Sequence, residues 1–265
     1  MFLSDGVERH EVRYKNLRGY LFLPKCSPGT KVPAVIDIFG GAWGLVAHRA
    51  AMLARHGYAA LSVAYAAFDD LPKQLSEFDM SYFAEAYEFL DQHECVDGER
   101  VGVTGSCLGG TLALAMSREV PKIKAVAVVS PEPIAGQWNY RFLNGEIVEG
   151  CSWDPKKVDI DGTMYTVISQ KEKALDVDNA WEKHSLQYGK IKAPILCFYG
   201  SNDQLFDLRM AIPALRKQFS DENKENYEIV VYKHGGHIIQ PCYLPMFSRY
   251  YSPIFGTAFF QAFVL

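Results

Sequence analysis

The chain lacks a surplus of charge of either sign: 27 lysines and arginines stand against 31 aspartates and glutamates, a formal net charge of −4. No basic face therefore points to nucleic acid or to an anionic membrane. No apolar run approaches the roughly 18 residues that a membrane-spanning helix needs. The opening Met1-Phe2-Leu3-Ser4-Asp5-Gly6 has neither the charged n-region nor the long apolar h-region of a secretory signal. No internal repeat or low-complexity tract interrupts the chain. The six cysteines, at 26, 95, 107, 151, 197 and 242, form no CxxC pair and no tight cluster, and neither a metal nor an organic cofactor is expected. A chain of 265 residues needs no disulfide staples, so reduced cysteines in an intracellular compartment, the cytoplasm first, are the natural reading. What remains, at 49% hydrophobic and 22% charged residues, is a soluble globular enzyme.

Short apolar runs alternate with longer helical patterns, the rhythm of a mainly parallel sheet covered by helices. Strands are expected at Leu17–Leu23, Ala34–Phe39, Ala60–Tyr65, Val101–Thr104, Ile123–Val129, Ile195–Tyr199 and Tyr227–Tyr232. Helices are expected at Leu45–His56, closed by Gly57, and at Asp79–His93, Gly109–Arg118 and Met210–Phe219. The rhythm breaks between Glu132 and Lys190, where Trp138, Trp153 and Trp181 sit among polar residues without a clean period. That stretch reads as a cap-like excursion above the sheet and not as a separate domain. Residues 1–265 are thus read as a single doubly wound α/β unit.

The sharpest signal is Val101-Gly102-Val103-Thr104-Gly105-Ser106-Cys107-Leu108-Gly109-Gly110. A strand runs into Gly-x-Cys-x-Gly and a helix follows, the nucleophile-elbow pattern with cysteine in the place of serine. The bland reading is a core cysteine in a strand–helix turn, since free cysteine is usually a small buried hydrophobe. At a helix N-terminus, however, Cys107 gains the positive dipole end and free N–H groups that favour a thiolate. A cysteine nucleophile needs a base, and the base an orienting acid. Asp203 follows the strand Ile195–Tyr199, and His237 lies on a glycine-rich loop after the last strand, with Asp207 and His234 as close rivals. The order Cys107, Asp203, His237 is the nucleophile–acid–base order of the α/β-hydrolases. An oxyanion hole needs two N–H groups, one from the residue after the nucleophile, here Leu108. The second is expected from the loop Gly40-Gly41-Ala42-Trp43-Gly44, from Gly41 in the first place and Ala42 in the second.

These residues stand in stretches that resemble the C-terminal catalytic domain of the acyl-CoA thioesterase and bile acid-CoA:amino acid N-acyltransferase family. The matching segments are Ile36–Gly41, Leu53–Tyr58, Asp70–Lys73, Gly105–Gly110 and Gly200–Gln204. The most specific is Gly236-His237-Ile238-Ile239-Gln240-Pro241-Cys242-Tyr243-Leu244-Pro245, with Gln240 and Cys242 departing from the family's run. The resemblance covers about residues 10 to 255 and implies an α/β-hydrolase fold with Asp203 and His237 as acid and base. It implies acyl transfer from acyl-CoA through an acyl-Cys107 intermediate, to water or to a small amino acid such as glycine or taurine. It also allows a peroxisomal location, although no C-terminal peroxisomal signal is present. The family's N-terminal β-sandwich is expected to be absent and its final helix clipped, so that the apolar stretch Phe255–Leu265 packs on the sheet and leaves an exposed patch. A cysteine hydrolase of the dienelactone hydrolase type is the rival resemblance, and a catalytically silent binding module the non-enzymatic alternative. The oligomeric state is not legible in the sequence.

Overall fold

The computed structural model describes residues 6–25, 27, 29–41, 44–151, 159–161, 164–166, 182–203, 208–239, 251–252 and 258–259. Two antiparallel strands open the chain, β1 (Val7–Tyr14) and β2 (Leu17–Pro24), followed by β3 (Val32–Ile38), α1 (His48–Arg55) and β4 (Ala59–Ala64). Next come β5 (Glu77–Asp79), α2 (Met80–Asp91), β6 (Val96–Ser106), α3 (Leu108–Glu119) and β7 (Ala125–Val129). Within the excursion lie β8 (Asn139–Arg141), β9 (Ile147–Val148), β10 (Asp159–Asp161) and β11 (Met164–Thr166). The chain then returns through β12 (Ile195–Gly200), α4 (Leu208–Asp221) and β13 (Tyr227–Tyr232). Eight strands form one sheet in the order β1-β2-β4-β3-β6-β7-β12-β13, antiparallel at β1, β2 and β4 and parallel from β4 to β13.

Helices cover both faces, as side-chain alternation along the strands requires. Phe22 and Ala60 point to the face where α1 packs with Ala50 and Ala54. Their neighbours Leu21 and Leu61 point to the opposite face and join Phe83 and Leu90 of α2 and Leu112 and Met116 of α3. From β3 the chain winds one way, to β4, and from β6 the other way, to β7, β12 and β13. The carboxyl ends of β3 and β6 therefore meet at the topological switch point, where open α/β sheets bind ligands. Gly105 there pairs with Ile38, and Ser106 with Val129.

Several elements depart from the expected pattern, β1 and α1 among them. The charged strand β1, Val-Glu-Arg-His-Glu-Val-Arg-Tyr, buries only Val12 and has no period a core-facing strand would show; as the sheet edge it needs none. Helix α1 starts at His48 and not at Leu45, with Gly57 at φ +90° just beyond it as expected. Helix α2 begins where Asp79 accepts the N–H of Ser81 at 2.8 Å. In the excursion, β8 pairs with β5 and β9, and Ala135, Trp138, Tyr140, Phe142 and Tyr188 bury themselves in the same apolar core as the sheet. Of Phe255–Leu265 only Ala258–Phe259 is described, paired antiparallel with Tyr251–Ser252; the expected packing of this stretch lies outside the described residues. Among the described residues no helix is long and apolar enough to cross a membrane, and Cys107, Cys151 and Cys197 are free.

Candidate active site

Strand β6 ends at Ser106, α3 begins at Leu108, and Cys107 alone makes the turn between them at φ 57°, ψ −130°. A non-glycine residue held at positive φ is costly and is found where the surroundings over-determine it. Here the Cys107 N–H donates to Val129 O at 2.8 Å, and its carbonyl accepts from Gly110 at 2.9 Å and Thr111 at 3.2 Å. The flanking glycines follow from the tightness of the turn. A Cβ on Gly105 would lie 2.1 Å from the Gly109 carbonyl oxygen, and one on Gly109 would lie 2.1 Å from Ile38 O. Neither contact can be relieved without moving backbone.

The loop after β3 closes over the elbow. A Cβ on Gly40 would come 2.8 Å from the Cys107 Cβ, so this loop lies directly on Cys107. Its carbonyls are held from behind by Tyr65, whose hydroxyl lies 2.9 Å from Phe39 O and 2.8 Å from Gly40 O. The backbone N–H groups of Gly41 and Leu108 both lower the pKa of the Cys107 thiol. Tyr65 stands immediately after β4 and carried no motif; nothing in the local sequence marks its hydroxyl as a support for the neighbouring loop.

Asp203 and His237 reach the site from β12 and β13. Their loops are stitched together by Ser201 N–H to Tyr232 O at 2.9 Å, Asn202 N–H to Gly235 O at 2.8 Å and His234 N–H to Ser201 Oγ at 2.8 Å. The His237 Nδ1 lies 2.8 Å from Asp203 Oδ2, with both side chains out of solvent (1% and 0% exposed). The Cys107 sulfur also acts on the histidine, raising its pKa. The structure thus brings Cys107, His237 and Asp203 into one chain of contacts, with Leu108 and Gly41 at the sulfur. Of the rivals, His234 is exposed at the turn, while Asp207 and Ala42 lie outside the described residues.

The electrostatics of this cluster favour charge separation. Burial pushes the Cys107 thiol up, but the facing His237 and the Leu108 and Gly41 N–H groups outweigh it and bring the pKa below its ordinary 9.0. Burial alone would keep His237 neutral, yet Asp203 and the Cys107 sulfur raise it to about 10. A thiolate–imidazolium pair is therefore favoured between the lowered cysteine pKa and about pH 10. Iodoacetamide is expected to alkylate Cys107 rapidly at neutral pH, far faster than it alkylates buried Cys197, whose thiol burial pushes up to about 12. A reaction that needs the imidazolium proton should fade as pH rises through about 10, where His237 deprotonates. A rate–pH profile that instead falls between pH 6 and 7 would contradict this charge arrangement.

Among solved structures, a dienelactone hydrolase homologue from Klebsiella pneumoniae superposes with a TM-score of 0.58 at 17% identity, covering 87% of this chain and 86% of that one. An acylaminoacyl peptidase from Pyrococcus horikoshii gives 0.62 at 18% identity over 88% of this chain and 38% of its own. At such identities the likeness shows the fold alone, which is the α/β-hydrolase fold. Sequence comparison reaches further. The chain is 30% identical over 260 residues to bile acid-CoA:amino acid N-acyltransferase of Mus musculus, 96% of this chain and 59% of that protein. It is 32% identical over 249 residues to mitochondrial acyl-coenzyme A thioesterase 2 of Mus musculus, 93% of this chain and 53% of that protein. To acyl-coenzyme A thioesterase 6 of Homo sapiens it is 31% identical over 264 residues, 98% of this chain and 61% of that protein. The chain thus spans somewhat over half the length of these relatives. Residues 78–261 match the family model "BAAT / Acyl-CoA thioester hydrolase C terminal", and the chain belongs to that family.

Proposed function

We propose that the chain transfers acyl groups from acyl-CoA through a thioester on Cys107, with Asp203, His237, Leu108 and Gly41 in the roles their positions fit. The observation that carries this reading is the convergence on one sulfur of His237, itself 2.8 Å from Asp203, and the N–H groups of Leu108 and Gly41. The Cys107 thiolate attacks the acyl carbonyl carbon. The oxygen takes up negative charge between the Leu108 and Gly41 N–H groups, each such donor being worth about 2.7–4 kcal/mol in the transition state. Collapse breaks the bond from carbon to the CoA sulfur, which leaves with the proton of His237. The neutral imidazole then accepts a proton from an amine or a water as that nucleophile attacks the acyl-Cys107 carbonyl. A second collapse expels the Cys107 thiolate and restores the ion pair. Asp203 holds the ring so that its other nitrogen faces the reaction, and stabilises the imidazolium.

The choice of nucleophile bears on the acceptor. An acyl-cysteine is a thioester, close in energy to acyl-CoA and more open to amines, relative to water, than an oxygen ester. This favours N-acylation of a small amino acid such as glycine or taurine over hydrolysis. The whole chain then serves as one catalytic domain, in an intracellular compartment where its thiols stay reduced.

The test is turnover of a panel of acyl-CoAs with and without glycine or taurine, in wild type and in Cys107→Ser. Wild type is expected to form amide faster than free acid. The serine variant forms an oxygen-ester intermediate and loses the low-pKa thiolate, so it should lose most amide formation and keep slow hydrolysis. Equal CoA release with and without amino acid, and no amide product, would make the chain a hydrolase and remove the transfer step.

A further inference from the structure

Arg49, near the start of α1, reaches the back of the elbow. Its Nη1 donates to Ser106 Oγ, one residue before Cys107. Its Nη2 donates to Asp37 Oδ1 and, at 3.1 Å, to Ile38 O. The guanidinium carbon also lies 5.2 Å from the centre of the Phe39 ring. Asp37 is wholly buried and the Arg49 side chain only 16% exposed, and the second carboxylate oxygen of Asp37 has no hydrogen-bond partner. A buried carboxylate costs several kcal/mol unless it is paired, so this pair is held in one arrangement.

Its position is what gives it a role. The parallel ladder between β3 and β6 is in register at Ile38 and Gly105, where both strands are about to leave the sheet. Beyond that point lie Phe39-Gly40-Gly41 on one side and Ser106-Cys107-Leu108 on the other, and each carries one N–H, of Gly41 and of Leu108, that lowers the Cys107 pKa. Arg49 binds both departing segments at once: Asp37, Ile38 and Phe39 on the first, Ser106 on the second. We propose that Arg49, through its bonds to Asp37, Ile38 and Ser106, is a positioning residue that sets the separation of the Gly41 and Leu108 N–H groups. The proposal rests on the reading of those N–H groups as the oxyanion hole.

His237 and the two N–H donors lower the Cys107 pKa, so displaced donors should raise it, and Ser106→Ala, which keeps both charges of the pair, separates this from a charge effect. Arg49→Met alone leaves the Asp37 charge buried and unpaired, which threatens folding. Asp37→Leu/Arg49→Met replaces the pair by apolar side chains of similar size, an exchange that often leaves stability intact. Ser106→Ala keeps the pair and cuts only the leg to the elbow. Each folded variant is assayed on acyl-CoA and on p-nitrophenyl acetate, and its Cys107 alkylation by iodoacetamide is followed against pH. The double variant should lose about 100-fold in kcat, the scale of one lost or displaced oxyanion donor. Ser106→Ala should lose roughly tenfold, with KM within about threefold of wild type in both. The midpoint of alkylation should move up in pH in both variants, because displaced N–H groups lower the Cys107 pKa less. Wild-type kcat in either variant overturns the proposal. So does a loss of kcat with the alkylation midpoint at its wild-type pH in both variants, because the N–H groups then have not moved. Wild-type protein that cleaves p-nitrophenyl acetate but not acyl-CoA would count against the proposed substrate and leave the role of Arg49 to be decided on the ester.

Discussion

Cys107→Ala is expected to abolish acyl labelling of the protein and to lower acyl-CoA turnover on the order of 10⁶-fold, the scale seen when a covalent nucleophile is removed from a triad. The size of the effect follows from where Cys107 stands. Its sulfur is the point that His237 and the N–H groups of Leu108 and Gly41 all face, and a methyl group there leaves those groups with nothing to activate. Stability should change little, because alanine fits the same space and the backbone bonds that hold the φ 57° turn involve only main-chain atoms. Two other cysteines offer no substitute: Cys197 is wholly buried, with its thiol pushed up to about 12, and Cys151 is pushed up by burial to about 11. Turnover that survives Cys107→Ala at the wild-type rate would exclude covalent catalysis at this position.

Asp203→Asn should lower turnover by roughly 10⁴-fold, as loss of the orienting carboxylate does in triads of this kind. Burial alone favours a neutral His237, and Asp203 is the largest influence raising it. An uncharged amide in its place lets the His237 pKa fall, and the Cys107 thiolate loses its counter-charge. The alkaline limit of turnover should therefore move down from about 10, and alkylation of Cys107 at neutral pH should slow with it. Ser201, Asn202 and Gly235 still join the two loops through backbone bonds, so the fold should persist. If Asp203→Asn retains activity and Asp207→Asn does not, the acid role belongs to Asp207.

Much of this arrangement was legible because its causes are local. In the Gly-x-Cys-x-Gly run Gly105 is required by a contact within five residues, since it backs onto Gly109, whereas Gly109 is required by Ile38 on the neighbouring strand. Strands such as β4, buried at every position, show as nearly continuous apolar runs, broken there only by Ser62. Asp203 and His237 could be picked out because each follows a strand closely, and parallel strands deliver their following loops to the same edge of a sheet. What escaped the sequence depends on partners distant along the chain. Strand β1 is charged because it forms an edge. The bond from Tyr65 to the loop at Phe39 and Gly40 spans 25 residues or more, and that from Arg49 to Ser106 spans 57. No periodicity encodes such pairs, which come about only when the sheet brings the ends of β3, β4 and β6 together. The pairing of β5 with β8 and β9 is of the same kind: three short strands with no local signal, paired across 62 residues at Glu77 and Asn139.

The central claim is that an acyl group rests on Cys107 between donor and acceptor. Rapid-quench mass spectrometry of wild-type protein mixed with acyl-CoA, with and without glycine or taurine, tests it most directly. The account predicts an acyl adduct on the peptide carrying Cys107 that forms as CoA is released. Added amino acid should discharge that adduct faster than water does, with the matching amide appearing at the same rate. Release of CoA with no adduct at Cys107 at any time, even in the absence of an acceptor amine and with Asp203→Asn slowing discharge, would contradict it.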